Sequence, residues 1–473
     1  MSWEIPESDS RAMEELNTFK ELGISVLEMP TPPSGKLRDK IRAQNLNVWA
    51  SLGIQYPTAH TFAKSDSAFT AKVMDRATEF LAAPPVRVLI LFEHGALGNS
   101  QFEKAAASFF NGLPNRSNAI QQAVTVSSIP PEPGGIADFF IYDIRLRPDN
   151  IKSPGIPIHD SIGGYKYSPS DDIRYLLTPF RTVVEQLPQQ SAKPLIVESD
   201  WLFSMLSRHP QFKRSLHSLT TDTSLAFPVP EESLPVQHSS PLPAIILLLV
   251  WGILAYHYHM SPLYRKSLFR YLTAHTFFIN DVHHQQLRSS FPGVIIMLQH
   301  ALLLAAVLFC VSFSAWSPIG LQSFQFHYPE LFLFPNAHYN IFILTLVAAL
   351  LLSAVSILWL SFFHKKIRSV TQIMTLYAWP LQLNFIIGTL AIVVHLSGGS
   401  AHLVAALSGV MLVIFGGSFI ISSVDASRFL SKERLRYIAL TAGIYIAALL
   451  ALIIWILWFQ DFFWQAIDLS LHL

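Results

Sequence analysis

The chain has 473 residues, 51% of them hydrophobic and 14% charged, and a net charge of +1. A soluble globular chain carries about 25% charged residues, so a wholly soluble protein is excluded, and the balanced charge leaves no electrostatic footprint for a nucleic-acid partner. The single cysteine, Cys310, excludes an intramolecular disulfide framework and a cysteine-based metal site. Up to about Glu232, charges are frequent and no apolar run exceeds strand length. Here short apolar strands alternate with amphipathic helical stretches. The spacing predicts eight strands, over Ser2–Ile5, Ser25–Met29, Asn47–Ser51, Arg87–Phe92, Ala123–Ser127, Asp138–Tyr142, Pro194–Glu198 and Ser224–Phe227. Helices are predicted over Ser10–Leu22, Lys36–Gln44, Ala68–Leu81, Ser100–Phe110, Ser170–Gln186 and Trp201–Leu219. Such a series in residues 1–232 fits a closed (β/α)8 TIM barrel better than an open doubly wound sheet. No glycine-rich phosphate loop follows any strand, which argues against a nucleotide site, and no cofactor is implied.

After a linker at 233–241, long apolar runs dominate residues 242–460. A transmembrane helix needs about 20 mostly apolar residues. Six segments meet or approach this: Leu242–Tyr258, Pro292–Trp316, Asn340–Phe363, Ile373–Leu396, His402–Val424 and Tyr437–Phe459, followed by a tail at 461–473. The connections after spans one, three and five hold the lysines and arginines (Arg265, Lys266, Arg270, Arg288; Lys365, Lys366, Arg368; Arg428, Lys432, Arg434, Arg436), whereas the alternate ones hold none. Basic loops stay cytoplasmic, so the N-terminal domain and the C-terminus are expected outside the cytoplasm, in the cell envelope. Residues 1–22 are charged and lack the apolar core of an export signal. Ionisable groups within the predicted spans are almost limited to His300 and His395, which favours an anchor or scaffold over a transporter. His257, His259, His283 and His284 flank the first basic loop and read as interfacial side chains rather than metal ligands, and Asp171–Asp172 reads as helix N-terminal capping.

The stretch FKELGISVLEMPTPPSGKLRDKIRAQNLNVWASLGI (Phe19–Ile54) resembles the second and third β/α units of family 2 glycoside hydrolase barrels. LGNSQFEKAAASFFNGLPNRSNAIQQAV (Leu97–Val124) is similar to that family's stretch from strand four to strand five, and KPLIVES (Lys193–Ser199) to its strand seven. The resemblance implies a glycosidase-like barrel acting on or binding a carbohydrate, preceded by sandwich domains and an export signal, and so an N-terminally truncated chain. It designates Glu198, at the end of the seventh predicted strand, as the nucleophile; an ion pair or helix cap is the other reading of that carboxylate. A retaining glycosidase needs a second carboxyl about 5–5.5 Å away as acid/base. The family's Asn-Glu pair reads Asn99-Ser100 here, and serine cannot serve as that acid; Glu93, at the end of the fourth predicted strand, is the substitute, with a salt bridge as its other reading. Glu28, Thr31 and Trp49-Ala50-Ser51 stand where the family carries substrate-contacting charges, so a degenerate barrel kept for glycan binding or as a scaffold is the alternative. Trp3, Trp49, Asn99, Tyr142 and Trp201 are the expected substrate-binding residues, with Tyr165 and Tyr167 as further aromatics; the other reading of such aromatics is core or rim. In the membrane half, TQIMTLYAWPLQLNFIIGTLAIVV (Thr371–Val394), with Pro380, and the glycines Gly409, Gly416 and Gly417 of span five faintly resemble Yip1-type domains, where small residues permit close helix packing.

Overall fold

The computed structural model describes residues 1–63, 67–82, 86–97, 99–112, 120–127, 135–146, 150–151, 154–170, 173–187, 193–221, 240–284, 289–334, 336–364, 369–430 and 432–459. The chain divides between Gln237 and His238 into two compact units.

In the first unit, seven strands form one sheet: β1 (Val26–Met29), β2 (Asn47–Ser51), β3 (Val86–Glu93), β4 (Gln121–Val126), β5 (Phe139–Leu146), β6 (Ile162–Pro169) and β7 (Leu195–Ile196). Each pairs in parallel with the next in sequence, so the spatial order is the chain order. Parallel neighbours require crossover connections. The described helices are α1 (Asp9–Glu21), α2 (Gly35–Ala43), α3 (Ala59–Ala63), α4 (Ser67–Leu81), α5 (Ser100–Asn111), α6 (Leu177–Gln186), α7 (Ser199–Arg208) and α8 (Phe212–Thr221). The sheet curls until its two edges meet at Ser2, which bridges in parallel to Glu28 of β1 and to Glu198 just beyond β7. Four main-chain hydrogen bonds make this seam: Ser2 N to Val197 O (2.7 Å), Trp3 N to Glu28 O (2.8 Å), Glu28 N to Met1 O (2.6 Å) and Ser199 N to Ser2 O (2.8 Å). The architecture is a seven-strand parallel near-barrel fastened by one residue.

Alternation along the strands sorts the side chains into two shells. Val26, Trp49, Val88, Ile90, Ala123, Phe139, Ile141 and Ile196 pack together inside the ring. Their neighbours, among them Leu27, Ile144, Tyr165 and Tyr167 on one flank and Leu89, Leu91, Val124 and Phe140 on the other, pack outward against helices. With both faces buried, a strand such as VLILF (Val88–Phe92) is apolar throughout. Each fully buried large side chain contributes about 1.5–3 kcal/mol. Gly164 keeps Trp49 in place: a Cβ there would lie 3.0 Å from the indole. On the outside, Ala12, Leu16 and Phe19 form the buried stripe of α1, and the chain reverses after it at Gly23, whose φ of 73° suits a residue without Cβ.

Several expectations change. The first predicted strand, Ser2–Ile5, is reduced to the seam at Ser2, and Ser224–Phe227 lies outside the described residues, as does Asp171–Asp172. Between the strands predicted at Asp138–Tyr142 and Pro194–Glu198 the structure places β6, whose sequence IGGYKYSP hides its alternation behind two glycines and an inward-facing lysine. The predicted helix Ser170–Gln186 begins only at Leu177, and Trp201–Leu219 is split before Phe212 at Pro210.

In the second unit, six helices among the described residues are long and apolar enough to cross a membrane: span one (Leu242–Met260), two (Phe291–Ser314), three (Ala337–Phe362), four (Val370–Leu396), five (Ala401–Ser427) and six (Arg434–Ile456). They mark a multi-pass membrane protein. Span two is the hub: 61% of its most apolar window is buried, against 11% for span six. Span four is not continuous. It runs as an α-helix to Ala378, tightens to a 3-10 turn over Trp379–Gln382, and resumes at Leu383. Pro380 within this turn brings no amide hydrogen, so the regular ladder breaks there. The glycine at a close helix crossing is Gly388 of span four, where a Cβ would come within 2.6 Å of Leu303. Gly409 and Gly417 of span five face open space instead, and Gly416 meets only the Tyr445 hydroxyl, at 3.3 Å. Span five also extends past its predicted end to include a buried carboxylate, Asp425, paired with His275 at 3.0 Å and Arg428 at 3.6 Å.

Candidate functional site

Above the apolar layer inside the near-barrel, toward the C-terminal ends of the strands, the inward positions become charged. β1 contributes Glu28, β3 ends in Glu93, β5 continues past Ile141 to Asp143 and Arg145, and β6 carries Lys166 and Ser168. Ligand sites of closed β/α sheets lie at this end, where the strands hand over to the loops.

Two ion clusters organise the layer. In the first, Lys166 Nζ stands 3.3 Å from Glu28 Oε1 and 3.5 Å from Glu93 Oε1, one ammonium serving two carboxylates. Burial by itself would lower the lysine pKa, but Glu28, Glu93 and Asp143 outweigh it and raise it above the ordinary range. In the second, Asp143 accepts from Arg145 Nε at 2.8 Å and from the Ser168 hydroxyl at 2.5 Å, with His94 Nε2 at 3.2 Å. Burial pushes the Asp143 pKa up; Arg145, His94 and Ser168 together pull it down further, and the carboxyl is held well below the usual range. Tyr56 hydrogen-bonds to Arg145 and stacks on His94 with ring centroids 5.5 Å apart. Its phenol pKa is raised, by burial first, against the pull of Arg145.

Tyr56 and His94 share a second property. Their φ angles are 48° and 54°, in the left-handed region that a side chain with Cβ enters at a cost, about 1–2 kcal/mol per residue. They sit where the chain leaves β2 and β3, side by side: Tyr56 N donates to Glu93 O at 2.9 Å and His94 N to Thr125 O at 2.9 Å. Strain of this kind persists only where the surroundings over-determine it, and it clusters at sites of function.

The residues expected from sequence divide between this layer and elsewhere. Glu93 belongs to it, paired with Lys166. Glu198 lies just beyond β7, half-exposed, held by Arg174 Nη2 at 2.7 Å, and stands as the N-cap residue of α7 without a side-chain cap bond. Because β6 intervenes, β7 is the eighth stave when the Ser2 seam is counted as the first; the ordinal that made Glu198 the end of strand seven passes to Lys166 and Ser168. Glu28 is joined to Glu93 through the shared lysine.

The expected substrate-binding residues are placed elsewhere. Trp49 points into the ring, in the apolar layer rather than at the mouth. Trp3 is fully buried beside α1, its indole donating to Glu15 Oε2 at 2.7 Å. Trp201 is buried against Tyr167 and Phe180, donating to Arg174 O at 2.6 Å. Tyr142, Tyr165 and Tyr167 face outward into the helix layer. Asn99 is the N-cap of α5, its Oδ1 accepting from Gln101 N and Phe102 N. All are packing or capping positions: strand alternation sends Tyr142, Tyr165 and Tyr167 to the helical side and Trp49 into the inner apolar layer, and Trp3, Trp201 and Asn99 lie outside the strands. Among the described residues no cluster of three or more histidine, cysteine or acidic side chains could hold a metal ion.

Sequence reasoning passed over Asp143, Arg145 and Lys166, and named Glu28 only as a departure from the family pattern. A signal was present: charges within an otherwise apolar strand buried on both faces, one in VLEM and two in FFIYDIRL, must turn inward and find partners. Comparison with known proteins adds no family: no family model matches the chain, and no curated protein and no solved structure matches it either.

Proposed function

We propose that the first unit is a (β/α)8-type barrel that binds a carbohydrate at its charged mouth without hydrolysing it, carried on a six-span membrane anchor and facing away from the cytoplasm. The reading rests on one observation: each carboxylate named at the strand ends has a cation against it. Lys166 serves Glu28 and Glu93, Arg145 serves Asp143, and Arg174 serves Glu198. A glycosidase acid must hold a proton near neutral pH, and an adjacent cation favours loss of that proton. Fixed donors and acceptors in alternation are suited instead to sugar hydroxyls, which donate and accept at once.

The hydrolase reading keeps one supporting feature, the exposure of Glu198 at the sheet end. Hydrolysis of a panel of aryl glycosides by the full chain, with Glu93→Gln and Glu198→Gln alongside, separates the two. Equal and negligible rates, together with glycan binding that weakens tenfold or more in Lys166→Met, support the binding module. Turnover that disappears in either glutamine variant would overturn it.

A further inference from the structure

The six-span unit carries a set of buried, uncharged polar side chains near half-depth. Gln299 and His300 lie near the middle of span two, Asn384 at the middle of span four, and Val250 and Met411 near the middles of spans one and five. Gln299 Nε2 donates to Val250 O at 2.9 Å. Asn384 Nδ2 donates to Met411 O at 3.1 Å and to His300 Nε2 at 2.8 Å, which makes that imidazole an acceptor and therefore neutral. A backbone carbonyl only accepts, so these contacts fix both amides with the nitrogen toward the carbonyl. Their oxygens, Gln299 Oε1 and Asn384 Oδ1, are left without a partner, on residues only 1% and 0% exposed.

An unbonded buried acceptor costs about 1–3 kcal/mol, and lipid offers no donor to relieve it. Gln299 stands in the regular helix of span two, whereas Asn384 stands in the first turn of the helix that resumes after an irregular stretch of span four. Span four is broken over Trp379–Gln382, and the indole N–H of buried Trp379 is also without a partner. Irregular backbone at membrane depth is tolerated where it is buried in protein or lines a cavity, and interrupted spans with convergent polar groups at mid-depth are a recurrent way to hold a solute. Gln382 Nε2, in the same turn, is a further donor without a partner, so two acceptors and two donors await partners, and no lysine, arginine or carboxylate belongs to the set.

We propose that the break in span four, with Gln299 and Asn384, frames a mid-membrane binding site for a small uncharged solute that both donates and accepts hydrogen bonds, of the hydroxyl or carboxamide class. It does not depend on the carbohydrate reading of the first unit. The test is thermal unfolding of the purified full chain in detergent, followed by its helical signal and titrated with glycerol, acetamide or sodium chloride. A bound solute raises Tm along a saturating curve, whereas general osmolyte stabilisation rises without saturation and equally in every variant. The expected result is a saturable rise of several degrees with glycerol or acetamide, lost in Asn384→Leu and Gln299→Leu and retained in Trp251→Phe, which alters a hydrogen bond from span one to Thr389 on the exposed side. Variant basal Tm values report folding, and Trp379→Phe repeats the comparison should Asn384→Leu not fold. A saturable response to sodium chloride alone, a response identical in all variants, or no saturable response to any probe would overturn the proposal, the last leaving a site for structural water only.

Discussion

The near-barrel and the mid-depth layer of the membrane unit solve the problem of polar atoms in an apolar interior by opposite means. In the near-barrel, ionised groups are neutralised by one another: Lys166 with Glu28 and Glu93, Arg145 with Asp143. In the membrane unit, Gln299, His300 and Asn384 are uncharged and lean on main-chain carbonyls and each other, leaving oxygens unbonded. At low dielectric an unpaired charge costs far more than an unpaired amide, so Glu28 keeps its cation although its Oε2 has no hydrogen bond. Fixed geometry is therefore bought by charge in the first unit, and spare bonding capacity is retained in the second.

That contrast can be broken most severely at Lys166. Lys166→Met leaves two facing carboxylates without their cation, and a loss of about 3–5 kcal/mol is expected on the scale of broken buried pairs, read as a fall in the denaturant midpoint of the full chain. The matched change in the other unit, Asn384→Leu, removes an unbonded acceptor but also the donor to His300 Nε2, and is expected to cost about 1–3 kcal/mol; a loss greater than that of Lys166→Met would erase the distinction. Acid sharpens it further. The Asp143 pKa is lowered on folding, so the stability linked to its ionisation is present above the unfolded value of about 3.9 and is lost as pH falls below it toward the folded value. The midpoint should drop below about pH 4, and Asp143→Asn should lessen that drop while lowering stability at neutral pH. Smaller is Asn99→Ala, expected to cost about 1 kcal/mol as a lost helix cap with glycan binding unchanged, which separates its structural duty from the substrate contact first expected of it. Smallest is Asn45→Gly, at φ 57° after α2, where a change within about 0.5 kcal/mol is expected, since asparagine already tolerates this conformation.

The membrane spans were legible in the sequence because a run of eighteen or more apolar residues admits few other fates. Asp425 escaped because the apolar run was ended one residue before it, and only the folded helix shows it turned inward toward His275. In the first unit, the strands from Asn47–Ser51 to Asp138–Tyr142 were readable since burial on both faces makes them uniformly apolar. β6 was not, because its inward positions include Gly164, Lys166 and Ser168, chosen for the indole beneath and the charges beside them rather than for apolar burial. That one missing stave displaced the strand count by which Glu198 was placed at the end of strand seven. Aromatics such as Trp3 and Trp201 were ambiguous for a different reason: a large ring is equally at home in a core and at a mouth, and only strand phase decides.

The seam at Ser2 has a consequence in time. It joins residues almost two hundred positions apart, so it is the most non-local contact of the sheet, and loop-closure entropy must be met before it forms. On the ribosome Met1 and Trp3 can bond to Val26 and Glu28 as soon as β1 has emerged, but the N–H and C=O of Ser2 that face β7 stay open until Val197 and Ser199 have emerged, an interval in which this parallel edge is exposed to mispairing with other chains. Weakening the fastening at Ser2 should accordingly slow the final folding phase and increase aggregation during refolding.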